Sequence, residues 1–307
     1  MRIKRAIIVR SKTRLETLLE RFNTKMQAKF YIEKQGADFS DYECEHETFY
    51  DSLNLIQRNI SAAVKYKIID REFLPHFIFS DDNIILAVGQ DGLVANTAKY
   101  SKNVPIVAVN PDKKRYDGVL LPFDKNDFLQ GVQSAVKNDY RKVKTVGFAQ
   151  AALNDGQKLL AFNDLFIGVF SHISARYKLS FGNLTEEQSS SGIIISTQAG
   201  STGWLSSVFN MANGVSALLS NKCVNKSLAM SDNQLVFAVR EPFVSIKTRA
   251  DLVAGVLNSG QKLVIESLMP SNGVIFSDGI EKDFLNFNSG SIAEISLSCE
   301  KAYLITK

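Results

Sequence analysis

The chain has 307 residues, more than one typical hydrophobic core needs and enough for two domains. Its 45% hydrophobic and 22% charged residues are ordinary for a folded soluble protein. The net charge of +4 is mild, and the basic clusters at 113–115 and 141–144 do not interleave with aromatic residues, which argues against a nucleic-acid partner. Solvated loop charges explain these clusters most simply, and attraction of an anionic small molecule is the sharper alternative.

The first 140 residues alternate between strand-like and helix-like segments. Such alternation predicts a parallel sheet covered by helices. The apolar run at the N-terminus is too short for a signal peptide, so we predict that it forms the first strand. In chain order, we predict a strand at 6–9, helices over 13–34 and 49–65, strands at 67–69, 84–88, 106–109 and 119–121, and a helix from about Asn126 capped by Asp124.

Beyond about Val143 the pattern changes to short alternating runs separated by turns. This pattern is typical of antiparallel strands, with one helix near 204–219. The predicted strands cover 166–170, 177–181, 192–196, 235–239, 263–267, 273–276 and 292–297.

The cysteines and histidines limit the chemistry that is available. Cys44, Cys223 and Cys299 stand far apart, and the three histidines are scattered. This spacing predicts a reducing compartment without disulfides or structural zinc. No stretch approaches the roughly 20 apolar residues of a membrane span. We therefore predict a cytoplasmic protein without a membrane partner.

The most informative stretch is the apolar run at 85–88, followed by Gly89-Gln90-Asp91-Gly92 and a helix-like segment. Ligands of open α/β sheets bind at the carboxyl ends of strands, where glycines and a helix N-terminus suit a phosphate. The carboxylate of Asp91 would repel phosphate unless a metal or proton transfer justified it. A turn carboxylate that caps the next helix is the simpler alternative.

A second polar segment follows the strand predicted at 192–196. It reads Ser-Thr-Gln-Ala-Gly-Ser-Thr-Gly-Trp from Ser196 to Trp204, richer in glycine and hydroxyl groups than one helix cap requires. Asn163-Asp164 adds an amide and a carboxylate suited to ribose hydroxyls. Taken together with Asp91, these residues indicate a nucleotide ligand.

These motifs resemble those of the NAD kinases, which transfer the terminal phosphate of ATP to the adenosine ribose 2′-hydroxyl of NAD. Gly89–Gly92 resembles the family's Gly-Gly-Asp-Gly motif, and Asn163-Asp164 its Asn-Glu/Asp pair. The segment 195–204 resembles Ile-Ser-Thr-Pro-Thr-Gly-Ser-Thr-Ala-Tyr, and Asp278-Gly279 a further acidic turn. The motifs occur in the family's order over about residues 84–297.

The resemblance implies an N-terminal parallel α/β domain, Rossmann-like, over 1–140 and a C-terminal antiparallel β-rich nucleotide-binding domain over 141–307. Asp91 would be the general base, Mg²⁺ would accompany ATP, and the chain would form homo-oligomers. No metal-ligating residue is predicted. The residues expected to bind NAD or ATP are Gly89, Gln90, Gly92, Asn163, Asp164, Ser191, Ala199, Thr202, Gly203, Trp204, Ser207 and Asp278.

Several residues depart from the family pattern. Gln90 replaces a glycine, Leu93 a threonine, Gln198 a proline, and Ser191 an aspartate that engages the nucleotide. These departures favour an alternative, a non-catalytic NAD(H)-binding regulatory protein. Asp91 favours the kinase, because a pure binding protein gains nothing from a carboxylate beside phosphates. A lipid or sugar kinase is a third hypothesis, but such an enzyme has no need of the adenosine-directed segment.

Overall fold

The computed structural model describes residues 3–137, 139–220 and 230–307. Their contacts divide the chain into two compact units, Met1–Thr145 with Ala302–Lys307, and Val146–Lys301. Cys223 lies outside the described residues. Within the described ranges, no helix is long and apolar enough to cross a membrane.

The first unit is built on a parallel sheet, as predicted. Strand β1 lies between β2 and β3, and β4 follows β3 and pairs with β5, all in parallel. The strands are β1 (Arg5–Arg10), β2 (Lys65–Asp70), β3 (Asn83–Val88), β4 (Ile106–Asn110) and β5 (Phe123–Asp124). The helices are α1 (Arg14–Phe22), α2 (Lys25–Lys34), α3 (Phe39–Ser61), α4 (Asp91–Tyr100) and α5 (Phe128–Val136), with short 3₁₀ segments at Arg71–His76 and Tyr140–Lys142.

Burial explains why β3 and β4 form the centre of this sheet. Every residue of β3 and of β4 is buried, as expected for strands covered on both faces. Apolar residues of α3 and α5 pack on these strands in one core cluster. Helix α4 begins three residues after β3 ends. The sheet therefore fixes Asp91 at the carboxyl end of a buried strand.

The predicted helix over 13–34 is wrong as a single element. Asn23 adopts a left-handed conformation (φ 60°) that ends α1, and the side chain of Thr24 then caps α2. Helix α3 begins at Phe39, ten residues before the predicted start, because Asp38 supplies its N-cap.

Two further predictions in the first unit are wrong. The segment 119–121 is a turn, not a strand, and its backbone N–H groups face a carboxylate. Helix α5 begins at Phe128 and not near Asn126, since the Asp124 carboxylate accepts from the Asn126 N–H in a separate turn before the helix.

The second unit is β-rich and antiparallel, also as predicted. One sheet has the order β13-β12-β11-β8-β15-β16, and in the other β9 lies between β10 and β14, which pairs with β17. The strands are β6 (Val143–Leu153), β7 (Lys158–Ala161), β8 (Asp164–Val169), β9 (Ala175–Phe181), β10 (Leu184–Ser190), β11 (Ile193–Ser196), β12 (Gln234–Val239), β13 (Ala254–Asn258), β14 (Leu263–Ser267), β15 (Gly273–Ser277), β16 (Ile280–Asn286) and β17 (Ile292–Ile305), and helix α6 is Trp204–Ser220.

The end of the chain differs from the expected division at residue 140. Strand β17 continues past the predicted 292–297, and its last residues belong to the first unit, where Leu304 pairs in parallel with Ile106 of β4. Ala302, Leu304 and Ile305 are at most 5% exposed, so burial of this apolar end explains why it belongs to the first unit.

Candidate functional site

Asp91 is the first residue of α4, directly after Gln90, which holds the N-cap position. The Asp91 side chain does not cap its own helix. Its Oδ2 accepts from the Val119 N–H at 3.1 Å, and its Oδ1 from the Leu120 N–H at 2.8 Å. The carboxylate is thus held by the turn at 119–120 and remains partly exposed.

This arrangement leaves acceptor capacity on Asp91. A carboxylate has about four lone-pair sites, and each oxygen here receives one backbone N–H. The first turn of a helix also favours a negative charge. The geometry therefore orients a charged acceptor while leaving lone pairs for a further hydroxyl.

The residues around Asp91 are packed unequally. A Cβ on Gly89 would lie 2.8 Å from Leu93 Cδ2, whereas one on Gly92 would meet no atom within 4 Å. Leu93 is 2% exposed, so the residue that replaces a threonine fills the space above Gly89.

Gln90 is exposed, and its side chain is hydrogen-bonded to Tyr116. Burial raises the pKa of the Tyr116 hydroxyl, and the contact with Gln90 partly offsets this rise. The amide that replaces the motif's second glycine therefore links this loop to the segment that also holds Asp91.

In the second unit, Asp278 fixes the start of β8. Its carboxylate accepts from the backbone N–H groups of Phe162 (3.0 Å), Asn163 (2.6 Å) and Asp164 (3.3 Å). Its own N–H donates to the Asp164 carbonyl at 2.9 Å. Asp278 and Gly279 both have positive φ, at 54° and 68°, so they form the tight turn between β15 and β16. Three predicted site residues, Asn163, Asp164 and Asp278, are thereby brought together.

Asp164 has an environment opposite to that of Asp91. Its Oδ1 is buried without a hydrogen-bond partner among the described residues. Burial raises the pKa of Asp164 to about 7, the Ser196 hydroxyl lowers it, and the nearby Asp278 raises it. Loss of hydration disfavours the charged form of a carboxyl group. Asp164 is therefore a carboxyl group poised to hold a proton near neutral pH.

The loop after β11 packs closely over Asp164. The Thr197 hydroxyl donates to the Phe162 carbonyl at 2.6 Å, and the Thr197 N–H to the Asn163 carbonyl at 2.9 Å. A Cβ on Gly200 would lie 2.4 Å from the Asn163 carbonyl oxygen and 2.8 Å from Asp164 Oδ1. Only glycine permits this approach.

The remaining predicted residues lie around the end of this loop and in a turn before β11. Thr202, Gly203 and Ser207 are exposed, and Ala199 is half-buried. Trp204 stacks on Phe166 with ring centroids 5.6 Å apart. Ser191 is exposed, and its N–H donates to the Arg240 carbonyl at 2.9 Å. The substrate-binding roles of these residues stay predictions.

Sequence reasoning missed several residues that organise these sites. The Val119 and Leu120 N–H groups carry no side-chain signal, although the Asp117-Gly118 dipeptide indicates a turn just before them. Gly118 indeed has a φ of 68°. Ser196 and Thr197 lay inside the polar segment but were not singled out. Among the described residues, no group of three or more His, Cys, Asp or Glu is arranged to hold a metal ion.

Known proteins similar to this chain include NAD kinases in sequence and an NAD kinase and an NADH kinase in structure. No family model matches the chain. A curated NAD kinase from Saccharolobus islandicus is 25% identical over 159 residues, which make up 51% of this chain and 57% of that protein. The crystal structure of an NAD kinase from Archaeoglobus fulgidus in complex with ATP aligns with a TM-score of 0.54 at 16% identity, covering 98% of this chain and 93% of the other. Yeast NADH kinase complexed with NADH aligns with a TM-score of 0.58 at 12% identity, over 100% and 84%.

The fold is therefore that of NAD kinases and NADH kinases, which confirms the predicted fold class. The chain is thus similar in sequence to curated NAD kinases, and its fold is similar to that of an NAD kinase and an NADH kinase. The matched regions span about half the length of the curated relatives, 57% for the Saccharolobus protein and 44% for one from Prosthecochloris aestuarii.

Proposed function

We propose that the protein is an ATP-dependent NAD kinase that transfers the terminal phosphate of ATP to the adenosine ribose 2′-hydroxyl of NAD, giving NADP. The observation that carries the proposal is the Asp91 carboxylate, fixed at the carboxyl end of β3 by two backbone N–H groups. The likeness to curated NAD kinases supports the choice of substrates.

Asp91 has the chemistry that this reaction requires. Phosphoryl transfer to an alcohol needs positioned reactants, neutralised charge and a group that accepts the hydroxyl proton. The lone pairs of Asp91 that receive no backbone N–H accept the proton of the ribose 2′-hydroxyl. The N-terminus of α4 and the exposed backbone at Gly92 suit the phosphates.

In the second unit, Asn163 and Asp164 bind the nucleotide ribose, and Thr202, Gly203, Trp204 and Ser207 bind the adenine. Asp278 acts as a positioning residue, because its carboxylate binds the backbone N–H groups of Asn163 and Asp164. A neutral Asp164 donates a hydrogen bond, whereas a charged one only accepts.

Mg²⁺ accompanies ATP in this proposal. A magnesium ion takes oxygen ligands and is commonly held by one or two carboxylates together with substrate phosphates. Asp91 is the carboxylate of the Gly89–Gly92 loop, so phosphate oxygens of ATP would supply most of the ligands. When bound, the ion would neutralise charge on the phosphates.

The decisive variant is Asp91→Asn. We expect NADP formation from NAD, ATP and Mg²⁺ to fall by on the order of 10²- to 10⁴-fold, the usual contribution of a positioned base, with little change in NAD affinity. Turnover is measured as NADP produced, and NAD affinity by calorimetry.

Two further variants separate catalysis from support of the turn. Gly118→Ala disturbs the turn that holds Asp91, since its Cβ would lie 2.8 Å from Asn110 Nδ2, but leaves the carboxylate intact. Asp117→Asn removes an exposed carboxylate of the same segment and should change nothing. An Asp91→Asn protein with near-wild-type turnover, or one no worse than Gly118→Ala, would remove Asp91 from the chemistry.

A cytoplasmic location and self-association complete the proposal. Cys44 and Cys299 are free cysteines, in keeping with a reducing compartment. We expect a dimer or a tetramer. Light scattering of the protein as it elutes from a size-exclusion column measures its molar mass and so tests self-association directly.

A further inference from the structure

A cavity of about 700 Å³ lies in the first unit, beyond the carboxyl end of β4. Helix α3 lines one side, and the segment before α5 lines another. None of the residues Gly89–Gly92 lines it. We call it the basic cavity; its lining residues are Cys44, Thr48, Asn110, Pro111, Asp112, Lys113, Lys114, Arg115, Asp124, Lys125 and Asn126.

The lining carries four cationic side chains and two carboxylates, and only two of the four cations form ion pairs with residues that the structure describes. Lys113 binds Asp124 at 2.5 Å, and Arg115 binds Asp41, outside the cavity, at 2.5 Å. Lys114 is exposed and Lys125 is half-buried, and neither side chain forms an ion pair with the described residues. Two positive charges therefore stay available to a ligand.

The two carboxylates of the lining are engaged by the protein itself. Asp112 accepts from the Lys114 N–H at 3.0 Å, and Asp124 accepts from the Asn126 N–H at 2.7 Å as well as from Lys113. Their charge is therefore partly neutralised by local donors, which lowers their repulsion of an anion. Clefts lined mainly by one sign of charge concentrate ligands of the opposite sign.

The size and composition of the cavity narrow the ligand class. Its volume is within the range of small-molecule sites, about 300–1,000 Å³. None of its lining residues within the described part of the chain is aromatic, so these residues offer no stacking surface for a nucleobase. Ammonium groups on flexible stems bind phosphate as point charges.

We propose that the basic cavity is a binding site for a small phosphate-bearing anion, separate from the Gly89–Gly92 loop. Lys114 and Lys125 are its principal ligand-binding residues. The phosphate groups, not a base or a sugar, provide the recognition. The site does not depend on the kinase activity proposed above.

Cys44 provides a local test, because its exposed thiol lines the cavity. Its alkylation by iodoacetamide is followed by peptide mass spectrometry, with and without pyrophosphate at constant ionic strength. Bound pyrophosphate covers the thiol, so we expect at least severalfold slower modification of Cys44. Cys299, an exposed cysteine of the second unit, is the internal reference and should react at an unchanged rate.

The double variant Lys114→Ala/Lys125→Ala should need about tenfold more pyrophosphate for half-protection, because two solvent-accessible ion pairs to the phosphate groups are lost. Lys158→Ala/Lys301→Ala removes the same charge from exposed sites of the second unit and should keep wild-type protection. Equal protection in both double variants, or none in the wild type at millimolar pyrophosphate, overturns the proposal. AMP in place of pyrophosphate should protect more weakly, and equal protection by adenosine would contradict phosphate recognition.

Discussion

Asp91 and Asp164 are both carboxyl groups beside glycine-rich loops, yet the two compact units place them in opposite surroundings. Asp91 is partly exposed, and each of its oxygens accepts a backbone N–H. Asp164 has one buried oxygen without a partner among the described residues, and burial raises its pKa to about 7. Backbone donors stabilise a carboxylate and burial disfavours it. Similar sequence contexts therefore lead to opposite surroundings for the two carboxyl groups, one held by backbone donors and the other buried without a partner for one oxygen among the described residues.

The glycines beside these acids differ in the same way. Gly92, next to Asp91, is open on the side where a Cβ would stand, while Gly200 lies against Asn163 and Asp164. Gly92 therefore leaves the space beside Asp91 open, whereas Gly200 allows the loop after β11 to pack directly against Asp164.

A large effect on stability is expected from Gly200→Ala. The added Cβ would lie 2.4 Å from a backbone oxygen, so the loop or β8 must shift. We expect the free energy of unfolding to fall by about 1–3 kcal/mol, the usual cost of overpacking. The chain's single tryptophan, Trp204, reports on the second unit when denaturant unfolding is followed by fluorescence.

Gly92→Ala is the matched control for that measurement. No atom stands within 4 Å of its Cβ, so the free energy of unfolding should stay level or rise by up to about 1 kcal/mol. Equal losses in both variants would show that the close packing of Gly200 has no energetic weight.

A second effect on stability depends on pH. The pKa of Asp164 rises from 3.8 to about 7, so the folded protein keeps a proton that the unfolded chain releases within that window. Stability from this group is therefore fully present below about pH 4 and falls as the pH rises towards 7, by at most about 1.4 kcal/mol per pH unit. Asp164→Asn should flatten this decline in denaturation curves recorded between pH 4.5 and 8.

Asp51→Asn, on the exposed face of α3, is the control and should keep the wild-type slope. If Asp164→Asn also keeps that slope, the carboxyl group is charged in the folded protein and the contrast with Asp91 fails.

The smallest effect is expected from Tyr116→Phe, which removes the hydrogen bond to Gln90. One neutral hydrogen bond contributes about 0.5–1.5 kcal/mol, so we expect turnover to fall by about two- to tenfold. Tyr66→Phe removes a comparable contact, an exposed hydroxyl 3.3 Å from Gln57 Oε1, and should leave turnover unchanged. Indistinguishable rates for the two variants would mean that Gln90 needs no support from Tyr116.

Much of the fold was predictable because its signals are local. The buried runs of β3 and β4 are continuous apolar stretches, and the second unit alternates with a period of two. The split between α1 and α2 was missed although Asn23-Thr24 carries a helix-ending and a helix-starting residue in succession. The apolar periodicity continues across this dipeptide, so the pattern alone predicts one long helix and hides the break within it.

The candidate site was predictable only in part, because its organisation is non-local. The sequence pointed to Asp91, but its partners lie 28 and 29 residues further on and bind through their backbone. Asp278 was expected to bind a nucleotide, and its observed contacts are to backbone groups more than 110 residues away in the chain. Which atoms meet across such distances depends on tertiary packing, which no spacing within one motif encodes.

The most direct test of the proposed activity uses the unmodified protein, NAD, Mg²⁺ and ATP labelled in its terminal phosphate. We expect the label to appear in NADP, on the adenosine ribose, in step with ADP formation. Tight NAD binding without any labelled NADP, from either NAD or NADH, would contradict the account and favour a non-catalytic NAD(H)-binding protein.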